Sequence, residues 1–501
     1  MRRAIRMPVV LGLAKAAFND LAGLSQDVRM MNYDGSPDGW TVPTLFEPRG
    51  WMAVGLASIA SAIVCFPTWP GYMSFDSLFA YQQSIEGVVT AVWPPLHAYL
   101  FFVSRHLGLG AGGLFYAQVF VIFLSAAMII NMTVGNVWKA IAGFLSFFLL
   151  FVYFPTIIGV AIVSWKDVTT AAFAMLGITV WLLAIRRRSL LMIVLSVAIF
   201  CAALALRYNS LPLIAFILLG MVVWPFADHC LRYERGVVVA AILVGCAVAF
   251  ASTVWRLPDF KRLPPESGFA AIQEFDLMGI EVCSQTHVIP LEMSQGVEIS
   301  VAQVTQLYDA RHVQLAFRTV PGIPPLIETD GGGAVPKKWR EVLPTQPLCY
   351  LKHRLAVFSW LMGTNPAGVF YPTHGGIDAN KFAITLASPQ ASQWITTYVV
   401  SHANSPLRRP YLLYVLASIA FTFMFYRHTL PRQVLSGMFL GLLAYPAALL
   451  FTAPAADARY IFPSNIFCLL LVVVAVLELF RWLQYAFARG RAVPDISATP
   501  A

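Results

Sequence analysis

The sequence predicts an all-α polytopic membrane protein with about ten transmembrane helices, and three observations carry that prediction. Of 501 residues, 58% are hydrophobic and 12% are charged, against roughly 25% charged in a soluble domain. Mean hydropathy is +0.69, so there are too few charges to coat the several soluble domains that this length would otherwise build. Apolar runs of about 17 to 25 residues, the length that crosses a bilayer, recur along the chain. The 34 Lys+Arg against 25 Asp+Glu leave a formal charge of +9. That excess calls for no nucleic acid, because cytoplasmic loops of membrane proteins collect Lys and Arg. Soluble enzymes, nucleic-acid binders and disordered scaffolds are set aside.

Residues 1–49 read as a cytosolic arm: the apolar stretch after Met1 to Arg6 is interrupted by Lys15 and Asp20, too early for a secretory signal. Spans are expected at 51–67, 114–133, 140–158, 168–185, 189–206, 210–226, 236–255, 409–427, 432–453 and 460–480. Pro95 to Leu107 is too short to cross. Its Leu96, Tyr99, Leu100, Val103 and Leu107 share one helical face, which suits a helix lying in the interface. Treating it so places Lys139, Arg186 to Arg188, Arg232, Arg235, Arg427, Arg432, Arg481, Arg489 and Arg491 inside, in keeping with the positive-inside bias. The outer segments are then 68–113, 159–167, 207–209, 256–408 and 454–459.

The chain therefore divides into the arm 1–49, an N-terminal transmembrane module 50–255 with the first outer loop 68–113, an extracytoplasmic segment 256–408, and a C-terminal transmembrane module with a cytosolic tail, 409–501. The segment 256–408 has helical patches, prolines and a glycine turn at 331–333, the marks of a small, mainly helical domain or of loops capping the bundle. It holds Cys283 and Cys349. A disulfide between them is permitted on the oxidising side, and the sequence leaves their geometry open.

No G-x-x-x-x-G-K-[ST], H-E-x-x-H, C-x-x-C or G-x-S-x-G motif occurs, so nucleotide-driven, zinc-protease and serine-hydrolase chemistry have no sequence support. What remains is a set of ionisable residues in the outer segments, costly near lipid and therefore of functional interest. Asp76 lies just past the first span, Lys166 and Asp167 between the third and fourth, Arg207 after the fifth, and Arg459 with Tyr460 before the tenth. All but Lys166, which sits outside against the charge bias, have a structural alternative. Asp76 and Asp167 would suit helix starts, Arg207 could snorkel, Tyr460 could belong to an interfacial belt, and Arg459 could pair with Asp457. Lys352 and Arg354 read as a solvated amphipathic face, and His374 and Asp378 as exposed loop residues with no required partner. A carboxylate with several cations beside lipid is what transfer from a lipid phosphate requires. The leaving phosphate wants cations, and an incoming hydroxyl wants a carboxylate to take its proton.

At these residues, from about 51 to 480, the sequence resembles the GT-C class of integral-membrane glycosyltransferases, which includes protein O-mannosyltransferases and lipid A aminoarabinose transferases. Phe75-Asp76-Ser77 matches the place of the class's catalytic acid in the first outer loop. Trp93-Pro94-Pro95-Leu96-His97 resembles its H-P-P-L-type segment, with Trp93 where a His is common. Trp165-Lys166-Asp167, Arg207-Tyr208-Asn209 and Ala458-Arg459-Tyr460 are similar to motifs of a bacterial branch. The resemblance implies a GT-C fold in a bacterial plasma membrane with the site on the extracytoplasmic face. It implies Asp76 and Asp167 as catalytic carboxylates, and Lys166, Arg207, Arg459, His97 and Tyr460 as substrate- and phosphate-binding residues. The implied donor is a polyprenyl-phosphate-linked sugar, transferred with inversion to an envelope glycan, lipid or protein. No cofactor is required. Because Ser77 follows Asp76 where a second acid would favour a divalent metal, a metal-independent reaction is preferred, with Asp167 the one evident second carboxylate. Two alternatives share the many spans and outer arginines: a polyprenyl-diphosphate-dependent polysaccharide polymerase or ligase, and a transporter of lipid-linked glycans. Transporters tend to set polar groups at mid-membrane within internal repeats, and neither pattern is evident here.

Overall fold

The computed structural model describes residues 47–90, 94–187, 189–223, 261–262, 269–324, 326–327, 331–427, 430 and 432–490. Among them the architecture is α-helical, with one short parallel pair, β1 (Val88–Val89) on β2 (Lys261–Arg262). Six helical stretches are long and apolar enough to cross a membrane: Pro48–Thr68, Gly110–Thr133, Lys166–Arg187, Pro410–Arg427, Val434–Thr452 and Ala458–Gln484. The span expected at 236–255 and most of the 1–49 arm lie outside the described residues.

The first span is α1 (Pro48–Cys65), opened by a proline whose missing N–H costs nothing at a helix start. It is followed by α2 (Phe75–Glu86), α3 (Pro95–His106) and α4 (Gly110–Thr133). The short helix α3 is the one expected in the interface. Leu96, Leu100, Val103 and Leu107 stay partly or fully exposed, while His97, Ala98, Phe101 and Ser104 turn into the protein. Its polar side therefore faces the core and its leucine stripe faces outward, as a helix against lipid would be arranged.

The span expected at 140–158 is instead a bent pair, α5 (Val137–Tyr153) and α6 (Pro155–Ala161), broken by 89° at Phe154. Pro155 supplies no N–H to continue the ladder and starts a new helix instead. Next come α7 (Lys166–Arg187), α8 (Leu190–Leu206) and α9 (Leu211–Val223). The last two are shorter than a full span, and Arg207 sits in extended backbone between them.

Within the segment expected outside, 256–408, the chain forms α10 (Ala270–Ser284), α11 (Val301–Leu307), α12 (Ala334–Val342) and α13 (Pro347–Leu361), which share a buried cluster around Leu277, Ile280, Met293, Val304 and Val335. Cys283 on α10 and Cys349 on α13 form a disulfide, with Cα atoms 5.4 Å apart. Arg354 corrects the sequence reading. Lys352 is exposed, but Arg354 is fully buried. Its Nε lies 2.6 Å from Asp276 Oδ1, and its Nη1 donates to Ala453 O at 2.8 Å. The periodic pattern showed a charge on a helix and could not show the carboxylate on α10 that receives it. Beyond α13 the chain continues through α14 (Pro389–His402), α15 (Pro410–Arg427), α16 (Arg432–Thr452) and α17 (Phe462–Gly490). Val369 and Val399 from this part join the large core formed by the apolar helices.

A small backbone stitch positions the site. Tyr72 N donates to Ile162 O and Ser164 N to Tyr72 O, each at 2.9 Å, while Met73 N donates to Gly376 O and Asp378 N to Met73 O, also at 2.9 Å. Three segments distant in sequence thus run side by side just before Asp76, just before Lys166 and around His374. Gly71 makes this approach possible. At its φ of +101°, an added Cβ would sit 2.7 Å from the Phe115 ring and 2.8 Å from Ser164 Oγ, so no side chain fits. Gln118 on α4 fixes the middle segment, donating to Val163 O and accepting from Thr169 Oγ1, each at 3.0 Å.

Candidate active site

Asp76 is the second residue of α2, where Ser74 occupies the capping position without a side-chain cap bond. Asp76 does not cap the helix either. Its Oδ2 accepts from Arg459 Nη1 at 2.5 Å. Arg459 Nε lies 3.2 Å from Asp457 Oδ2, so one guanidinium bridges two carboxylates. The guanidinium also stacks over two rings, 5.0 Å from the Trp165 centroid and 5.3 Å from that of Tyr460.

Lys166 and Asp167 open α7 and part company there. Lys166 lines a small, open cleft together with Asp76, Ser77, Ala80, Gln83, Pro94, His97 and Trp165. Asp167 is completely buried behind it in an ion pair with Arg207. Arg207, 4% exposed, does not snorkel outward. It lies over the Tyr460 ring at 4.7 Å. The structure therefore brings Asp76, His97 and Lys166 to one cleft, with Arg459 on Asp76. It sets Asp167, Arg207 and Tyr460 in a layer behind, where none of them lines the cleft.

Charge follows from this packing. Burial works to raise the Asp76 carboxyl, but Arg459 and then Lys166 outweigh it, so it sits below the ordinary carboxylate value and is ionised at neutral pH. Burial, reinforced by Lys166, pushes the His97 imidazole down to about 3. His97 is therefore an uncharged imidazole at neutral pH, a hydrogen-bonding group and not the cation that phosphate binding would favour. Among the described residues its Nε2 has no hydrogen-bond partner, and neither does Gln83 Oε1. Burial raises the Asp457 carboxyl despite Arg459 and His312 beside it. Among the described residues, no three His, Cys, Asp or Glu side chains converge as a metal-binding group.

Sequence reasoning missed several neighbours. Gln83 was legible in principle, since Asp76, Ala80 and Gln83 fall at i, i+4 and i+7 on one face of α2. His374 and Asp378 were set aside as exposed loop residues with no required partner; Asp378 is exposed as expected, but His374 is not, and the two pair. His374 is 9% exposed, with Nδ1 2.6 Å from Tyr371 Oη and Nε2 3.2 Å from Asp378 Oδ1. The backbone stitch carries them to the start of α2, a juxtaposition with no local sequence signal.

Among solved structures, the chain is similar to the crystal structure of ArnT from Cupriavidus metallidurans in the apo state, at 14% identity and a TM-score of 0.30, over 81% of this chain and 78% of that one. No protein-family model matches the sequence, and no curated protein matches it. The fold and site define a polytopic helical membrane protein with a carboxylate-and-cation cluster at the junction of four helical segments.

Proposed function

We propose that this chain is an inverting glycosyltransferase of GT-C type, moving a sugar from a polyprenyl-phosphate donor to a hydroxyl of an envelope glycan, lipid or protein on the extracytoplasmic face of a bacterial plasma membrane. The observation that supports it is an ionised Asp76 sharing one cleft with Lys166 while Arg459 pairs with its carboxylate, beside apolar helices. In this reading Asp76 takes the proton of the acceptor hydroxyl, whose oxygen attacks the anomeric carbon as the carbon–oxygen bond to phosphate breaks. Lys166 and Arg459 stabilise the departing polyprenyl phosphate.

The Arg459–Asp76 pair fits this chemistry as a resting state. A carboxylate held by a guanidinium is a weak base, and a donor phosphate drawing on Arg459 would loosen that hold as the base is needed. Asp167 acts indirectly, fixing Arg207 and through it Tyr460, on which Arg459 also rests. His97 serves as a neutral hydrogen-bonding wall. Because lysine and arginine supply the positive charge, the reading calls for no divalent metal. Preincubation with EDTA is expected to leave the rate unchanged, and a loss restored by Mg²⁺ or Mn²⁺ would replace this account with a metal-assisted one.

The decisive experiment compares wild type and Asp76→Asn with a panel of polyprenyl-monophosphate sugars and an envelope extract as acceptor source, reading release of polyprenyl phosphate. The variant should lose about 10²- to 10⁴-fold, the usual worth of a positioned base, while still binding polyprenyl phosphate. Full activity in Asp76→Asn would end its role as base. If no monophosphate donor reacts with wild type, a diphosphate-using polymerase or ligase becomes the better reading.

A further inference from the structure

Beside Asp76 lies a chain of polar groups that the proposed reaction has not used: Tyr371, His374 and Asp378. Its geometry fixes the direction of every proton in it. Asp378 Oδ1 is 3.2 Å from His374 Nε2, and a carboxylate can only accept, so Nε2 carries the imidazole proton. Burial keeps the imidazole below its usual value, against the pull of Asp378, and thus uncharged at neutral pH. A neutral imidazole protonated at Nε2 offers only a lone pair at Nδ1. Tyr371 Oη, 2.6 Å away, must therefore be the donor to it. Burial pushes the phenol up to about 12, so it remains protonated. With its one proton committed to His374, the Tyr371 oxygen can only accept from a further partner.

Three more observations mark this as a built feature. Tyr371 adopts a φ of +47°, a left-handed conformation that a non-glycine residue holds only where its surroundings impose it. Its ring is 6.4 Å from Trp165, and that of His374 is 6.5 Å from the same indole, which lines the cleft and carries Arg459. The loop is tied to the start of the Asp76 helix by the Met73–Gly376 and Met73–Asp378 backbone hydrogen bonds. Tyr371 as a residue nevertheless keeps about one-third of its surface exposed, at 36%.

We propose that Tyr371, oriented by His374 and Asp378, binds the hydroxyl of the acceptor and presents it to Asp76. An oxygen limited to accepting repels a phosphate anion and receives an O–H, so this side of the site takes the acceptor and the Lys166 and Arg459 side takes the donor. The inference rests on the glycosyl-transfer reading.

The test uses full-length wild type, Tyr371→Phe and Asp378→Asn in two measurements: binding of polyprenyl phosphate alone, and transfer from the reactive sugar donor with envelope extract as acceptor source. Tyr371→Phe should bind polyprenyl phosphate as wild type does and keep its donor KM, while the extract concentration needed for half-maximal rate rises about tenfold. Asp378→Asn, altered at a half-exposed carboxylate, should shift the acceptor requirement in the same direction by a smaller factor, and it decides the matter should Tyr371→Phe fail to fold. A merely structural role would move donor and acceptor constants together, and that result overturns the proposal. So does weakened polyprenyl phosphate binding in Tyr371→Phe, which would assign the phenol to the donor. Wild type that binds polyprenyl phosphate but turns over no sugar donor would sink the glycosyl-transfer reading itself, whereas active wild type with unchanged acceptor dependence in both variants would sink only this inference.

Discussion

Replacing Arg459 by glutamine should move the acid limb of kcat/KM upward, because that limb reports the base of the free enzyme. In the resting site Arg459 Nη1 is 2.5 Å from Asp76 Oδ2, and it is the largest influence holding the carboxyl down against burial. Two unit charges about 4 Å apart interact by about 4 kcal/mol at an effective dielectric near 20. The two side chains keep 13% and 23% of their surface exposed, so solvent screens part of this, and Lys166 remains. Taking a third to a half of the figure leaves about 1.3–2 kcal/mol, or roughly one to one and a half pH units at 1.36 kcal/mol per unit. The sign is fixed. Removing a cation raises a carboxyl's pKa, so the variant loses its ionised base at a higher pH than wild type does. The assay is polyprenyl phosphate release at donor well below KM, from about pH 4 to 8, expressed as the ratio of variant to wild type. At the alkaline end the ratio should already be down by about 10²-fold for the lost phosphate contact, and it should fall further as pH drops. A ratio that stays flat across the range would refute the coupling of Arg459 to the base.

Topology and stability can be checked separately. Leu109, 56% exposed in the turn after α3, should, as cysteine, react with a membrane-impermeant maleimide added to intact cells; labelling only from the cytosolic side would invert the assignment of the first loop. Arg354→Met should lower stability by about 3–5 kcal/mol, because it leaves the Asp276 carboxylate buried without its partner, and adding Asp276→Asn should recover part of the loss. Thermal unfolding reads both, and an Arg354→Met variant that melts like wild type would show that the pair is not holding α10 to α13.

How far the sequence could be read depended on whether a residue's neighbours were local. Apolar runs long enough for a bilayer are local, and the six long helices follow them; among the described residues Pro155 bends one expected run through its own backbone chemistry, and those at 189–206 and 210–226 give helices shorter than a full span. The ionisable residues were legible as a set, since charge beside lipid is costly wherever it occurs. Their pairing was not. Arg459 and Asp76 are 383 residues apart, and nothing in either motif distinguishes the arginine that reaches Asp76 from Arg207, which is given over to Asp167. The same blindness hid the partners of Arg354 and His374, two residues that read as a solvated face and an exposed loop and are buried once another segment is laid against them. Segments of two or three residues do that work here: Tyr72 and Met73 hold the 162–164 and 376–378 strips on either side, too short to leave a strand signature. A list of charges on one membrane face therefore narrows the chemistry to what cations and a carboxylate can do. Which cation would face the substrate in the proposed reaction depends on what the others are already bound to: Asp167 holds Arg207, while Arg459 rests on Asp76 and Asp457, partners that a donor phosphate would have to displace.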